Sequence, residues 1–431
     1  MDDLDDHEEN AQKEIDECHA LKKHQELRIE CSSTESFLIR LDEGTAEIFG
    51  AELHRGVSIN VAGQKLAVFT WQGCKIHVKG KKPESMYIVS ETPMISYMNA
   101  HTILNNKRKA ALDSGKRGPH CIFLGPTDCG KSTMSRMFCN WAVRSGWEPM
   151  VVDLDVGQGS ISAPGCVAAT PIESPVDIEE GYPLEMPLVY FLGHATPSDN
   201  PELYKFLVDR LAGLLQRRAE ADPKAAASGL IINTLGWIEG LGYELQIHSI
   251  LSLKADNIFV LEQDRLYSQV SAEFKDKKEV EVIKLIKSGG VVKREKEDRR
   301  QSREQRIHDY FYGTASNPLV PVTQTARADQ LMVYRIGGGP RAPSSTLPIG
   351  AQSVADPLRL TNLPASAELS QSLLAVSHAP SADQILSTNI AGFILVKDVD
   401  AARGTVTYLS PSPGNLPGRY LVTGSIRSSL N

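Results

Sequence analysis

The sequence lacks the features of a secreted, membrane-spanning or zinc-centred protein. Its seven cysteines, an odd number, all lie at or before Cys166 and form no C-x-x-C pair, which argues against a disulfide framework and a structural zinc site. No apolar run is long enough to cross a bilayer, and residues 1–17 are acidic where a signal peptide would be basic and then apolar. We therefore expect no membrane partner and a reducing compartment, the cytosol or the nucleus.

The chain also lacks a net positive charge, but most of its excess negative charge lies in one short segment. The formal charge is −7, and nine acidic side chains fall within residues 1–17 against a single Lys13, so the rest of the chain is close to neutral. The beginning of the chain is poor in large apolar groups, and we expect 1–22 to be a disordered acidic head. A neutral body leaves room for local basic patches, so nucleic-acid binding is not excluded.

The 431 residues are too many for one ordinary core, and the sequence texture changes twice. Short alternating runs between Gly-containing turns predict an N-terminal β-sandwich over 23–112, with a helical linker at its end. Strands alternate with helical patterns through 113–317, which predicts a parallel sheet with crossover helices. Strand-like runs between Pro- and Gly-rich connections predict a small β-rich domain over 318–431.

One motif carries most of the functional information. Gly125-Pro-Thr-Asp-Cys-Gly-Lys-Ser-Thr133 fits G-x-x-x-x-G-K-[ST] and lies between an apolar run and a helix-like stretch. Its glycines let backbone N–H groups curve around a phosphate, and the helix N-terminus favours an anion. Lys131 is predicted to reach the β- and γ-phosphates and Ser132 to hold Mg²⁺. The alternative is a tight turn before a helix cap, which leaves Lys131 unexplained. The expected fold class is α/β, with a central P-loop NTPase domain between the two β domains.

A second apolar run ends in two carboxylates, in Met150-Val-Val-Asp-Leu-Asp155. Side chains at i and i+2 lie on the same face of a strand, and ligands of such sheets collect at the carboxyl ends of the strands. We expect Asp153 to support the Mg²⁺ shell and Asp155 to face an acceptor hydroxyl as general base. The alternative is a strand-end turn with solvated carboxylates.

The densest basic segment follows Gly289 and Gly290, which are candidate hinge residues. Arg299 and Arg303 share a helical face at i, i+4. Together with Arg294 they could close over a transferring phosphoryl group and stabilise its charge. The alternative is a solvated helix with Glu/Arg pairs.

Three further residues are candidate site residues. Thr196 has one functional interpretation, whereas Trp237 and Cys129 have two each. Thr196 lies among small hydrogen-bonding side chains after a predicted strand and could hold a phosphodiester backbone. Trp237 lies in a Gly-flanked loop, where it either stacks on a base or packs as core or lid. Cys129, inside the phosphate loop, is either a reactive thiol with a lowered pKa or a small apolar filler.

Taken together, these residues resemble the nuclear RNA kinase family of the pre-mRNA 3′-end cleavage machinery, the polyribonucleotide 5′-hydroxyl kinases also associated with tRNA splicing endonuclease. The similarity runs over nearly the whole chain from Glu26 onward. It includes residues 26–28, 46–53, 67–73, 125–133, 155–159, 188–190, 233–243, 288–291 and 310–313.

The resemblance implies ATP and Mg²⁺ as cofactors and the 5′-hydroxyl end of RNA as acceptor. It implies that Asp155 is the base and that a lid spans 289–308. The remaining implied roles are these: Gly125, Asp128, Cys129, Gly130, Lys131, Ser132 and Thr133 bind the ATP phosphates; Glu26 and Lys65 approach the nucleoside; Gln158, Thr196 and Trp237 contact the RNA; and Arg294, Arg299 and Arg303 act from the lid.

The resemblance also implies subunits of the mRNA 3′-end cleavage complex as partners, tRNA splicing endonuclease subunits as further ones, and a nuclear location. Cys129 and Leu235 stand where Val and Cys are expected, but neither removes a charged or hydrogen-bonding group. Some members of the family have lost catalysis and act as ATP-bound scaffolds. This chain keeps Lys131, Ser132 and Asp155, so we favour a working kinase over a scaffold. A GTPase switch is disfavoured because no N-K-x-D segment follows the fifth strand, and a ribosomal-RNA-processing kinase because of the N-terminal resemblance.

Overall fold

The computed structural model describes residues 14–31, 36–183, 187–338 and 356–430. Within these ranges the chain forms three seven-stranded sheets, one after another along the sequence. The first sheet contains β1 (Glu14–Lys22), β2 (Glu26–Glu30), β3 (Ser36–Ile48), β4 (Ala51–Glu52), β5 (Ser58–Ala62), β6 (Lys65–Lys81) and β7 (Ser85–Val89).

The N-terminal domain is built on its two longest strands, β3 and β6, which pair antiparallel along most of their length. Residues 73–81 of β6 also pair with β1, whereas residues 65–69 pair with β2. The sequence pattern separates β6 into two strands at Gly73, but the structure keeps one strand that changes partner there, with φ of 121° at this glycine. The inward side chains form a closed apolar core between the two layers.

The expected disordered head is wrong for Glu14–Lys22, which forms β1. Ile15 and Leu21 are buried at its two ends, and its acidic residues face the basic half of β6. Asp16, for example, pairs with Lys79 Nζ at 3.2 Å and with His77. β1 is therefore held by its pairing with β6 and by the burial of Ile15 and Leu21, and its acidic side chains are complementary to the basic ones of β6 at the surface. Residues 1–13 lie outside the described residues.

The central domain contains the predicted alternation of strands and helices. Its elements are α1 (Met94–Ser114), β8 (His120–Leu124), α2 (Lys131–Arg144), β9 (Met150–Asp153), β10 (Cys166–Pro171), β11 (Leu188–Phe191), α3 (Pro201–Ala221), α4 (Pro223–Ser228), β12 (Leu230–Asn233), α5 (Leu241–Ser252), β13 (Asn257–Leu261), α6 (Asp264–Glu273), β14 (Glu281–Leu285) and α7 (Lys296–Tyr312).

The order of this sheet places three strand ends side by side. The order is β11-β10-β9-β12-β8-β13-β14, and β9, β12, β8, β13 and β14 are parallel. The predicted parallel sheet is thereby confirmed. β10 was not predicted, because its run of small residues ending in Pro171 has no strand periodicity; it pairs antiparallel with both neighbours. Functional side chains at the carboxyl ends of β8, β12 and β9 therefore meet at one edge.

The C-terminal domain is the predicted β-rich unit. Its strands are β15 (Val322–Arg327), β16 (Met332–Ile336), β17 (Leu360–Leu363), β18 (Leu373–Ser377), β19 (Ile390–Asp400), β20 (Thr405–Ser410) and β21 (Tyr420–Thr423). It docks on the central domain where Gly193 meets Gly424: a Cβ at Gly424 would lie 2.0 Å from the Gly193 carbonyl oxygen, so only glycine fits. The domain boundaries given above stay predictions. Across the described residues, no helix combines the length and apolarity needed to span a membrane.

Candidate nucleotide-binding site

The phosphate loop leaves β8 and enters α2 through three residues with positive φ. Gly125 (φ 154°), Asp128 (φ 54°) and Gly130 (φ 96°) turn the chain around a central space. At Gly125 a Cβ would lie 2.7 Å from Cys129 Sγ, so glycine is required there. Within the described residues, no backbone N–H group of 127–130 donates to a protein oxygen. These groups are therefore available to an anion at the start of α2.

Lys131 is the first residue of α2 and is only 6% exposed. Its Nζ donates to the carbonyl oxygens of Gly125 at 2.9 Å and Pro126 at 2.8 Å, and it lies 3.8 Å from Cys129 Sγ. In the described part of the chain no carboxylate forms an ion pair with it. A buried ammonium held by neutral groups alone is strongly stabilised by an anionic ligand. The binding of phosphates by Lys131 stays a prediction, which its burial at the start of α2 supports.

A chain of hydrogen bonds joins the start of α2 to the end of β9. Ser132 Oγ donates to Asn233 Oδ1 at 3.4 Å, and Asn233 Nδ2 donates to Asp153 Oδ1 at 2.9 Å. Asp153 also accepts from the N–H groups of Asp155 at 3.1 Å and Ser160 at 2.6 Å. Burial, reinforced by the charge of Asp155, raises the pKa of Asp153 to about 6. Hydrogen bonds through Asn233 therefore connect Ser132 and Asp153, the two residues predicted to hold Mg²⁺.

Asp155 lies in the turn after β9 and not in the strand. Because β9 ends at Asp153, the strand-alternation argument for this pair of carboxylates is wrong. Asp155 Oδ1 instead accepts from the N–H groups of Gly157 and Gln158, both at 3.1 Å. Burial raises the pKa of Asp155, and the nearby positive charge of Lys131 opposes this rise. The turn fixes one carboxylate oxygen, and Oδ2 has no protein donor among the described residues.

The arginine segment is attached to the phosphate loop through Asp128. Arg294 donates to this carboxylate from its backbone N–H at 3.1 Å and from Nε at 3.2 Å, and Arg299 donates from Nη2 at 2.6 Å. Burial alone would raise the pKa of Asp128, but these hydrogen bonds hold it below its ordinary value. A capping box formed by Glu295 and Asp298 starts α7 between the two arginines. The interpretation as a solvated helix is therefore wrong for Arg294 and Arg299.

The lid also touches the turn that contains Asp155. Gln158 Nε2 donates to the carbonyl oxygen of Arg299 at 3.2 Å and to that of Gly157 at 2.7 Å. Arg303, one turn further along α7, has no hydrogen-bond or ion-pair partner among the described residues. The structure thus brings the phosphate loop, the Asp155 turn and the lid together, while Arg303 remains a predicted lid residue without a contact.

Arg28 of β2 connects the N-terminal domain to the hinge glycines of the lid. No sequence pattern identified this residue. Arg28 Nε donates to Glu26 Oε1 at 2.7 Å, and Thr92 Oγ1 donates to Glu26 Oε2 at 3.1 Å. The Arg28 guanidinium lies against the hinge glycines, because a Cβ at Gly289 or Gly290 would be 3.1 or 3.0 Å from its nitrogens. A buried arginine in a β-strand gives no sequence signal of such a contact.

Lys65 lies apart from Glu26. Its Nζ pairs with Glu30 Oε2 at 3.3 Å, and its side chain is 40% exposed. In the register of β2 and β6, Lys65 faces Glu30 whereas Glu26 faces Phe69. Four positions correspond to roughly 13 Å along a strand. The nucleoside contacts of Glu26 and Lys65 stay predictions.

Trp237 and Thr196, which with Gln158 are the predicted substrate residues, lie on different loops of the same sheet edge. Trp237 is 36% exposed and covers Gly242 of α5, where a Cβ would lie 2.3 Å from the indole Cγ. Thr196 follows Ala195, whose carbonyl oxygen would lie 2.8 Å from a Cβ at Gly157 in the Asp155 turn. Thr196 is therefore close to Asp155, and Trp237 packs on α5 with a third of its surface free. Their RNA contacts stay predictions.

The reactive-thiol hypothesis for Cys129 is wrong. Cys129 is 3% exposed and lies beneath Gly125. Burial raises the pKa of its thiol above the ordinary value, and the opposing charge of Lys131 does not reverse that rise. A buried thiol with a raised pKa is a poor nucleophile. Cys129 acts as an apolar filler of the loop.

The residues present fit ATP and Mg²⁺. The free N–H groups of the loop and the buried ammonium of Lys131 suit phosphates, and the path from Ser132 to Asp153 suits the ion. The described residues contain no cluster of three or more His, Cys, Asp or Glu side chains that could hold a metal by themselves. Mg²⁺ typically takes one or two protein oxygens together with substrate phosphates, and the Ser132 hydroxyl and the Asp153 carboxylate could supply the protein oxygens. Asn233 was missed as a site residue, although a polar residue ending an apolar strand at this edge is a usable signal.

The fold and the site together define a P-loop nucleotide-binding protein of the phosphotransferase type. Three family models match successive parts of the chain: the N-terminal beta-sandwich domain of polyadenylation factor at 20–111, the mRNA cleavage and polyadenylation factor CLP1 P-loop at 125–313, and pre-mRNA cleavage complex II protein Clp1 at 319–428. The chain belongs to the Clp1 family.

Curated relatives and solved structures agree with this family. The chain is 48% identical to "Protein CLP1 homolog" of Arabidopsis thaliana, over 94% of this chain and 93% of the relative. It is 40% identical to "Polyribonucleotide 5′-hydroxyl-kinase Clp1" of Homo sapiens, over 94% and 95%. A wild-type Clp1p–Pcf11p complex has the same fold, with a TM-score of 0.83 at 21% identity over 97% of this chain and 98% of that one.

Proposed function

We propose that this chain transfers the γ-phosphoryl group of ATP to the 5′-hydroxyl of RNA. The single observation that carries the proposal is the meeting of three elements: Lys131 in the phosphate loop, Asp155 in the turn after β9, and lid arginines tied to the loop through Asp128. The human relative is named for this reaction. We further propose work in mRNA 3′-end cleavage and polyadenylation and in tRNA splicing, in the nucleus, with subunits of those complexes as partners.

In the proposed reaction, each group of the chain has one task. Lys131 and the loop N–H groups bind and orient the phosphates. Ser132 and Asp153 would hold Mg²⁺, which would neutralise the charge of the phosphates when bound. Asp155 Oδ2 accepts the proton of the attacking 5′-hydroxyl. Arg299 and Arg294 stabilise the charge that spreads over the transferring group. Because the transition state is loose, positioning and electrostatics outweigh base strength.

The test incubates purified protein with ATP and an RNA oligonucleotide that has a 5′-hydroxyl, alongside a DNA oligonucleotide of the same sequence. We expect 5′-phosphorylated RNA from the wild type and none above background from Lys131→Ala. Lys224→Ala, which removes an exposed lysine paired with Glu148, is the matched control and should retain full activity. Undiminished turnover by Lys131→Ala would refute the proposal.

A second candidate function is an ATP-bound scaffold without turnover. One observation favours it: the guanidinium groups of Arg294 and Arg299 already donate to the Asp128 carboxylate. The same assay separates the two. A scaffold would retain ATP through purification and yield no 5′-phosphate ends, whereas the kinase yields them with each turnover.

A further inference from the structure

A cleft lies on the flank of the central sheet, between α3 and the C-terminal domain. Its volume is about 330 Å³, within the range of small-ligand sites. Tyr190 of β11 lines it together with Arg210 and Arg217 of α3, while residues 387–389 of the C-terminal domain form the opposite wall. None of these residues takes part in the nucleotide site.

Three polar groups of the cleft, the Tyr190 hydroxyl and the guanidinium groups of Arg210 and Arg217, have no hydrogen-bond or ion-pair partner among the described residues. Tyr190 is 3% exposed, yet within the described residues its hydroxyl makes no hydrogen bond. Neither Arg210 nor Arg217 forms an ion pair in the same part of the chain; the Arg210 guanidinium lies over the Phe206 ring. Asp209, the acid of the lining, accepts from Ser252 Oγ at 2.5 Å and lies 3.0 Å from His248 Nε2. The cleft therefore carries two guanidinium groups and a phenol hydroxyl against the single carboxylate of Asp209, so its net charge is positive.

The two arginines line the same cleft. They are seven residues apart, about 10 Å along the helix axis, and Gly213 between them leaves open space where a Cβ would be. Burial raises the pKa of Tyr190, and the positive charges of the two arginines that line the cleft with it oppose this rise. Two guanidinium groups and a hydroxyl around an open gap match the oxygens of a phosphate group.

We propose that the cleft binds a backbone phosphate of the RNA strand, downstream of the 5′ end that is phosphorylated. This inference rests on the proposed function and extends it to the path of the substrate. Arginine, tyrosine and asparagine side chains are the usual partners of nucleic-acid phosphates, and such contacts fix position without reading sequence. The cleft therefore favours strands long enough to reach it, whatever their bases.

The direction of α3 supports RNA as the occupant. α3 begins at the active site, where Tyr204 Oη donates to the carbonyl oxygen of Leu154 at 3.2 Å, one residue before Asp155. Arg210 and Arg217 lie six and thirteen residues further along, about 9 and 20 Å at 1.5 Å per residue. With roughly 3.4 Å per stacked nucleotide, the first few nucleotides of a strand span this distance. The loop with Thr196 lies at the start of that path.

The test measures binding of fluorescent 5′-hydroxyl RNA to the full chain by anisotropy, without turnover, over a range of salt concentrations. Arg217→Ala should weaken binding of a 20-mer about tenfold and lower the slope of log affinity against log salt by about 0.7. A dinucleotide is too short to reach Arg217, so its affinity should not change. Arg218→Ala removes the same charge from the next position of α3, outside the cleft, and should have little effect. Tyr190→Phe, which preserves the packing, should weaken only the 20-mer.

The outcomes separate this inference from the kinase proposal. Equal effects of Arg217→Ala and Arg218→Ala, or equal effects on the dinucleotide and the 20-mer, would overturn the phosphate contact. Binding of a phosphoserine peptide that depends on Tyr190 and Arg217, with unchanged RNA binding, would overturn it in favour of a protein ligand. Length-dependent loss of RNA binding in a chain that shows no turnover would support the RNA path and refute the kinase alone.

Discussion

Asp128 and Asp153 are carboxylates on opposite sides of the site, and their pKa values are shifted in opposite directions. Asp128 belongs to the phosphate loop and accepts from two arginines, which hold its pKa below the ordinary value. Asp153 is buried at the end of β9 among neutral donors, beside a second carboxylate, and its pKa is raised to about 6. The surroundings on the loop side therefore favour the ionised carboxylate, whereas those on the strand side favour the protonated one unless a positive charge binds there.

This difference shows on which side of the site the negative charge is already balanced before a ligand binds. The phosphate-loop side already has its cations, since Arg294 and Arg299 are bound to Asp128. The strand side has excess negative charge and a path to Ser132, so a divalent ion relieves its repulsion. Nucleotide and ion are therefore expected to order the Asp153 side more than the Asp128 side. The variants below disturb one side at a time.

The largest effect is expected from Asp155→Asn on the strand side. The amide oxygen can keep both turn hydrogen bonds from Gly157 and Gln158, so the substitution removes the base and little else. We expect kcat for 5′-phosphorylation to fall roughly 10²- to 10⁴-fold, with KM for ATP nearly unchanged, in initial-rate assays.

A matched control exists for this variant at Asp177. Its Oδ1 accepts from the N–H groups of Glu179 and Glu180, both at 2.8 Å, in the same kind of turn away from the site. Asp177→Asn should leave kcat unchanged. If Asp155→Asn behaved like Asp177→Asn, Asp155 would have no role beyond shaping its turn.

The next effect is expected from Asp128→Ala on the loop side. Each charge-assisted hydrogen bond is worth about 1.5–3 kcal/mol, so loss of this carboxylate should detach the lid and lower kcat roughly 10- to 100-fold. Glu297→Ala removes an exposed acid on the same helix, paired with Arg300 at 3.2 Å, and should change kcat less than twofold. An increase in kcat would mean that Asp128 restrains the arginines and does not position them.

These contacts mark the limit of what the sequence could predict. Local sequence patterns predict the phosphate loop, the parallel sheet and the role of Lys131. The spacing of the glycines and the apolar runs of buried strands involve residues that are close in sequence. The engagement of Arg294 and Arg299 by Asp128 joins residues more than 160 positions apart and depends on how α7 packs. β1 was missed for a similar reason, since its pairing with β6 joins residues at least 51 positions apart.

A smaller effect is expected in the pH dependence of the free energy of unfolding, to which the two carboxylates contribute differently. Asp153 has a raised pKa in the folded state, so the native protein holds more protons than the unfolded chain between about pH 4 and pH 6. Its contribution to stability is therefore greatest at low pH and is lost as the pH rises through 6. His101 and His120, buried with pKa values lowered to about 3, give a slope of opposite sign.

The difference between wild type and Asp153→Asn isolates the carboxylate from the histidines. The free energy of unfolding, measured by urea titration at pH 4.5 and pH 6.5, should fall more over this interval in the wild type than in the variant. Asp128→Asn should change the slope little in this interval, because Asp128 stays ionised throughout. Parallel pH profiles for the wild type and Asp153→Asn would contradict a raised pKa at Asp153.

The smallest effect is expected at Cys129, between the two sides. Valine has a similar volume, and the buried thiol makes only a weak 3.8 Å contact with Lys131, so Cys129→Val should change kcat and stability little; volume-conserving core changes usually cost less than about 1.5 kcal/mol. Alkylation of the native protein at pH 7.5, followed by peptide mass spectrometry, should label exposed Cys18 and leave Cys129 unmodified with or without ATP. Rapid labelling of Cys129 that ATP prevents would instead show that the loop opens far enough to expose it, and that the loop side is less complete than its arginine contacts indicate.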